Sequence, residues 1–107
     1  MGTKISVDAR LDAIFALQEY KREYSSYEEM RVVAKKKEKV IFNGRIKVIV
    51  GDYNIYHKVD IIWDDVNPNY HDIGLYGYYS TDYCHMEYTS GVLTIFDENG
   101  IEVIITK

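Results

Sequence analysis

Val40–Trp63, VIFNGRIKVIVGDYNIYHKVDIIW, is the stretch whose reading decides the fold. It holds three β-branched or aromatic runs separated by Asn43-Gly44 and Gly51-Asp52, both dipeptides that suit hairpin turns. A two-residue turn at Gly51-Asp52 would set Val50 opposite Tyr53, Val48 opposite Ile55 and Ile46 opposite His57. Period two then adds Val59, Ile61 and Trp63 to that covered face and sends Asn54, Tyr56, Lys58, Asp60 and Asp64 outward. A type I′ turn at Asn43-Gly44 would bring Ile41 beside Ile46. The whole reads as an antiparallel meander.

Upstream, residues 6–24 place Val7, Leu11, Ile14, Phe15 and Gln18 at helical spacing, with Leu17 and Tyr20 widening the stripe. Ser6 is a suitable N-cap, and Asp8 falls in the first turn, where the helix dipole favours an anion. Ser25 and Ser26 each precede a glutamate by three residues, which is capping-box spacing. That predicts a second helix over YEEMRVVAKKK, with Tyr27, Met30, Val33 and Ala34 inward and the run Lys35 to Lys39 at its C-terminal end.

Downstream, Asp64 to Gly74 reads as a loop around Pro68. Asp65, Asn67 and Asn69 start a calcium-loop spacing, but Tyr70 replaces the turn glycine and Tyr76 the terminal glutamate, so calcium is rejected. Strands are predicted at about 75–80 and 83–89, the second turning Cys84, Met86 and Tyr88 inward and Tyr83, His85 and Glu87 outward. Residues 92–106 close as a hairpin over Asp97-Glu98-Asn99-Gly100, suited to a type I turn followed by a left-handed glycine. The fold class is therefore α+β: one or two N-terminal helices (6–37) packed on an antiparallel sheet of about five to seven strands (39–107), in one domain spanning 1–107.

Charge divides unevenly along the 107 residues. Residues 1–47 hold 11 Lys/Arg against 7 Asp/Glu (+4), and residues 48–107 hold 2 against 10 (−8). The acidic half repels phosphate backbones and favours a protein partner with a basic surface over direct nucleic-acid binding. One cysteine excludes an internal disulfide framework, and no apolar run reaches the roughly 20 residues of a membrane helix, so a cytoplasmic protein without membrane association is expected.

No chemical motif stands out. His57, His71 and His85 lack metal-ligand spacing, and Cys84 and His85, as strand neighbours, point to opposite sides and cannot act as nucleophile and base. Glycines occur singly, so no phosphate-cradling loop exists. Neither an enzyme nor a cofactor or metal site is expected. The 11 tyrosines point instead to a contact surface, because tyrosine gives large rigid area at low entropic cost. The candidate partner-binding residues are Tyr56, Asp60, Asp64, Asp65, Tyr70, Asp72, Tyr76, Tyr78, Asp82, Tyr83 and Glu87.

Small, acidic, motif-free domains of this type are similar in kind to phage-encoded inhibitors, such as anti-CRISPR proteins, and to immunity proteins that neutralise toxins. That likeness implies a module that blocks a basic, nucleic-acid-binding partner. The rival expectation is weak nucleic-acid binding through Arg31, Lys35 to Lys39, Arg45 and Lys47. Free strand edges also offer a route to a homodimer.

Overall fold

The computed structural model describes residues 4–58 and 77–107. One helix, α1 (Val7–Glu23), is followed by seven strands: β1 (Tyr27–Lys36), β2 (Lys39–Val50), β3 (Asn54–Lys58), β4 (Gly77–Ser80), β5 (His85–Thr89), β6 (Val92–Phe96) and β7 (Ile101–Thr106). They form a single antiparallel sheet in the order β4-β3-β2-β1-β7-β6-β5. Consecutive strands β4 and β5 thus occupy opposite edges. A flat sheet of seven strands would be about 29 Å wide. The link from Ser80 to His85 spans at most about 18 Å when fully extended. The sheet must curl into a half-barrel so that its edges converge at this corner. Ser80 O anchors the corner by accepting from Tyr83 N and Cys84 N, and Asp82 O accepts from Ile5 N at 2.9 Å, tying the start of the chain to it.

The concave face holds the core. Met30, Val32 and Ala34 of β1 alternate inward beside Ile46, Val48 and Val50 of β2, Ile55 of β3, and Leu93, Ile95, Val103 and Ile105 of β6 and β7. Helix α1 packs against β5 through Ala13, Ala16, Leu17 and Tyr20, with the two alanines permitting close approach. Ser6 caps it as expected, its hydroxyl accepting from Ala9 N. The buried stripe differs from the expected one: Val7 and Phe15 are 67% and 60% exposed, and Leu11 is also exposed. None of the described helices is long and apolar enough to cross a membrane.

Three local expectations are corrected. The segment expected as a second helix is β1, the central strand, bonded to β2 on one side and β7 on the other. Its Met30, Val32 and Ala34 obey period two, and pairing on both flanks outweighs the weaker helical preference of Val32 and Val33. The capping-box contact survives without a helix, since Ser25 N donates to the Glu28 carboxylate at 3.1 Å at the strand entry. Asn43-Gly44 does not turn: β2 runs straight through it, Asn43 opposite Val33 and Gly44 opposite Val32. The turn lies instead at Lys37-Glu38, both with positive φ (50° and 69°), as a type I′ turn demands. A Cβ at position 44 would come within 3.1 Å of the Phe42 ring, so the glycine makes room for that ring.

The Gly51-Asp52 connection is two residues wider than expected, with Gly51 N donating to Asn54 O. The register is accordingly Val50 opposite Ile55 and Val48 opposite His57. A two-residue shift preserves the faces, so Ile55 and His57 are buried as expected while Tyr53 moves into the bend and is 63% exposed. Val59, Ile61 and Trp63 lie outside the described residues. The closing hairpin follows its sequence: Asp97 Oδ1 accepts from Asn99 N and Ile101 N, and Gly100 takes φ 78°.

Candidate functional site

The convex face of the sheet is uncovered by any described element, and its side chains fall into cross-strand rows. One row runs Tyr27, Ile49, Tyr56, Tyr78 across β1, β2, β3 and β4. Tyr56 and Tyr78 stack with centroids 6.2 Å apart and an interplanar angle of 28°. Asn54 Nδ2 donates to Tyr78 Oη at 3.0 Å, which holds the outermost ring in place. Tyr78 and Tyr27 are 54% and 57% exposed, so this is a pre-ordered aromatic strip open to solvent.

Charge beside the strip is basic. Lys47 Nζ stands 5.1 Å from the Tyr27 ring centroid, a cation–π distance. Arg45 Nε reaches the Glu29 carboxylate at 3.4 Å, and Arg31 donates to Asn43 Oδ1 at 3.2 Å. Arg31 and Arg45 face each other directly across β1 and β2, and their like charges are tolerated because each has its own acceptor. Beyond them the hairpin tip exposes Lys36, Lys37 and Lys39, with Lys35 half-buried.

Of the sequence-derived candidates among the described residues, only Tyr56 and Tyr78 come together. Tyr83 is half-buried against the core, and Asp82 sits in the corner with its carboxylate 3.5 Å from Arg10. Glu87 is exposed on β5, at the other edge of the sheet order from β4. Asp60, Asp64, Asp65, Tyr70, Asp72 and Tyr76 lie outside the described residues. The helical reading of 27–36 turns Tyr27 inward, whereas the strand places it opposite Ile49 on the convex face; the alternation of Met30, Val32 and Ala34 is the sequence signal for that placement.

Among the described residues, the buried polar groups His57, Tyr79 and Cys84 are held within the core. His57 Nε2 lies 3.0 Å from Tyr79 Oη inside the core, and burial pushes the Tyr79 hydroxyl above its ordinary range. Burial, with Asp97 adding to it, pushes the Cys84 thiol up to about 11, so it stays protonated at neutral pH. His85, its neighbour, is exposed on the opposite face. Among the described residues no three His, Cys, Asp or Glu side chains are grouped to hold a metal ion.

No protein-family model, curated protein or solved structure matches this chain.

Proposed function

We propose that this protein is a non-enzymatic protein-binding module that occludes a basic, nucleic-acid-binding partner, an inhibitor of the kind that includes anti-CRISPR proteins. One observation carries the reading. Half-buried Tyr56 and exposed Tyr78 stack on β3 and β4, and the segment joining those two strands contains Asp60, Asp64, Asp65 and Asp72 with no Lys or Arg. Aromatic anchors on two strands whose connecting sequence carries four carboxylates and no Lys or Arg combine the two ingredients of tight recognition: desolvated rings for residence time and complementary charge for association rate. The test is retention of a host protein on immobilised wild-type protein, followed by titration of that protein. Replacing both Tyr56 and Tyr78 by Ala is expected to weaken binding about 30-fold or more. Changing Asp64 and Asp65 to Asn should slow association and flatten its salt dependence. Unchanged affinity in the double tyrosine variant contradicts the proposal.

A second reading is favoured by the β1–β2 hairpin, whose tip presents Lys36, Lys37 and Lys39 to solvent above Arg31, Arg45 and Lys47. These strand-borne cations could contact phosphates. Glu29 and Asn43 already engage the two arginines, which limits such binding to a weak, salt-sensitive kind. An electrophoretic shift at low ionic strength that Lys37→Glu abolishes would establish it; no shift removes it.

A further inference from the structure

A groove of about 680 Å³ lies between α1 and the sheet, on the edge formed by β5 rather than β4. Helix α1 contributes Ala9, Asp12, Phe15, Ala16 and Glu19 to it. The strand contributes four successive residues, His85, Met86, Glu87 and Tyr88. Because alternate side chains of a strand point to opposite faces, a groove touched by both sets has to run along the strand's edge. The two alanines leave the helix wall low enough for the space to exist, and Phe15 and Phe96 are 60% and 39% exposed along it.

The register identifies which backbone groups face that edge. Thr89 and Val92 flank the two-residue turn at Ser90-Gly91, so they exchange both ladder hydrogen bonds. Alternation gives the same role to Glu87 with Thr94 and to His85 with Phe96. The N–H and C=O groups of Met86 and Tyr88 therefore point away from β6, and among the described residues β5 has no other ladder partner. An edge strand, a facing helix wall and an apolar strip between them form the geometry in which an extended peptide adds as a further strand.

Charge selects the occupant. Asp12, Glu19 and Glu87 line the groove with His85, and Arg22 shares the Glu19 carboxylate at 3.3 Å from outside the lining, which leaves the lining itself acidic. On the helix, Asp12 and Glu19 bracket Phe15, roughly 4.5 Å and 6 Å along the axis from it. In an extended strand, residues two apart are about 6.7 Å apart on one face. We infer that the groove between α1 and the free edge of β5 binds an extended basic peptide of the pattern basic–x–apolar–x–basic, by strand addition to Met86 and Tyr88. The apolar side chain rests on Phe15 while the flanking cations meet Asp12 and Glu19, with Glu87 on the far wall. A second copy docked edge to edge would instead bring two sets of the same carboxylates together, which repels.

The probe is a fluorescein-labelled Thr-Lys-Thr-Leu-Thr-Lys-Thr peptide, read by anisotropy against the whole protein. Saturable binding is expected, and both exposed-site variants, Phe15→Ser and Glu87→Lys, should weaken it about tenfold or more. Binding should also slow amide exchange at Met86 and Tyr88 relative to the free protein. The same peptide with Glu in place of Lys should fail to bind, and Tyr56→Ala with Tyr78→Ala should leave the affinity unchanged, which separates this groove from the surface of the proposed function. Absence of binding at millimolar peptide overturns the inference, as does wild-type affinity in both groove variants. A wild-type dimer that Phe15→Ser dissociates also overturns it, because the groove is then filled by a second copy.

Discussion

Tyr79 Oη meets His57 Nε2 at 3.0 Å over the backbone of Gly77, which stands opposite His57 in the β3–β4 ladder. Any side chain at position 77 would collide with both groups. Gly77→Ala is therefore expected to destabilise the fold by about 1–3 kcal/mol through forced displacement of the buried pair. Tyr79→Phe, which removes one hydrogen bond and keeps the ring, should cost about 1–2 kcal/mol. Urea denaturation of the two variants checks the size and the order of the losses.

Tyr20 of α1 is fully buried against the sheet, packed edge-on to Tyr88 at 6.3 Å, and its hydroxyl has no hydrogen-bond partner among the described residues. Burial pushes that hydroxyl well above its ordinary range, with Glu28 adding to the effect. Removing an unsatisfied oxygen while keeping the ring should leave stability unchanged or raise it by up to about 1 kcal/mol in Tyr20→Phe. A loss larger than that in thermal or urea unfolding would mean that the hydroxyl is bonded in solution.

Lys107 and the Ser25 amide both donate to the Glu28 carboxylate, and in that order they hold it below its ordinary range. A carboxylate depressed in the folded state contributes stability above its unfolded value and loses it as pH falls through the folded one. The Glu28 side-chain carbon should accordingly titrate below the usual glutamate range by NMR, and Lys107→Ala should move its midpoint upward. An unshifted midpoint in the wild type would show that neither contact persists.

The β1–β2 turn places Lys37 and Glu38 in the left-handed region, where side chains are strained. Exchanging them for Asn and Gly, which suit that backbone, should stabilise the protein by about 1–2 kcal/mol. Destabilisation of this double variant, read from its melting temperature, would place the turn elsewhere.

That turn also explains what could be read from the sequence and what could not. The α+β class, the helix from Val7 onward and the inward alternation of Val48, Val50, Ile55 and Met86 follow from local period and capping. The hairpin tip did not, because Asn43-Gly44 offers better turn chemistry than Lys37-Glu38. Only pairing of β1 with β7, some 70 residues away, outweighs that local preference. The same long-range pairing hid the tyrosine strip, since Tyr27 joins Ile49 and Tyr56 only once residues 27–36 are extended. The helix face departs from its hydropathy for a related reason: Ala13 and Ala16 carry little hydropathy, yet they are buried on the side that packs against β5, leaving Val7, Leu11 and Phe15 outside. The β5 edge groove follows from that displaced stripe.

Both surfaces depend on residues 27–36 being the central strand. Two-dimensional NMR of the free protein tests this directly. Cross-strand contacts from Arg31 to Arg45 and from Val32 to Ile105, with slow amide exchange through Val32 to Ala34, are the expected result. Helical i to i+3 contacts running from Tyr27 to Ala34 would contradict the sheet order and the surfaces built on it.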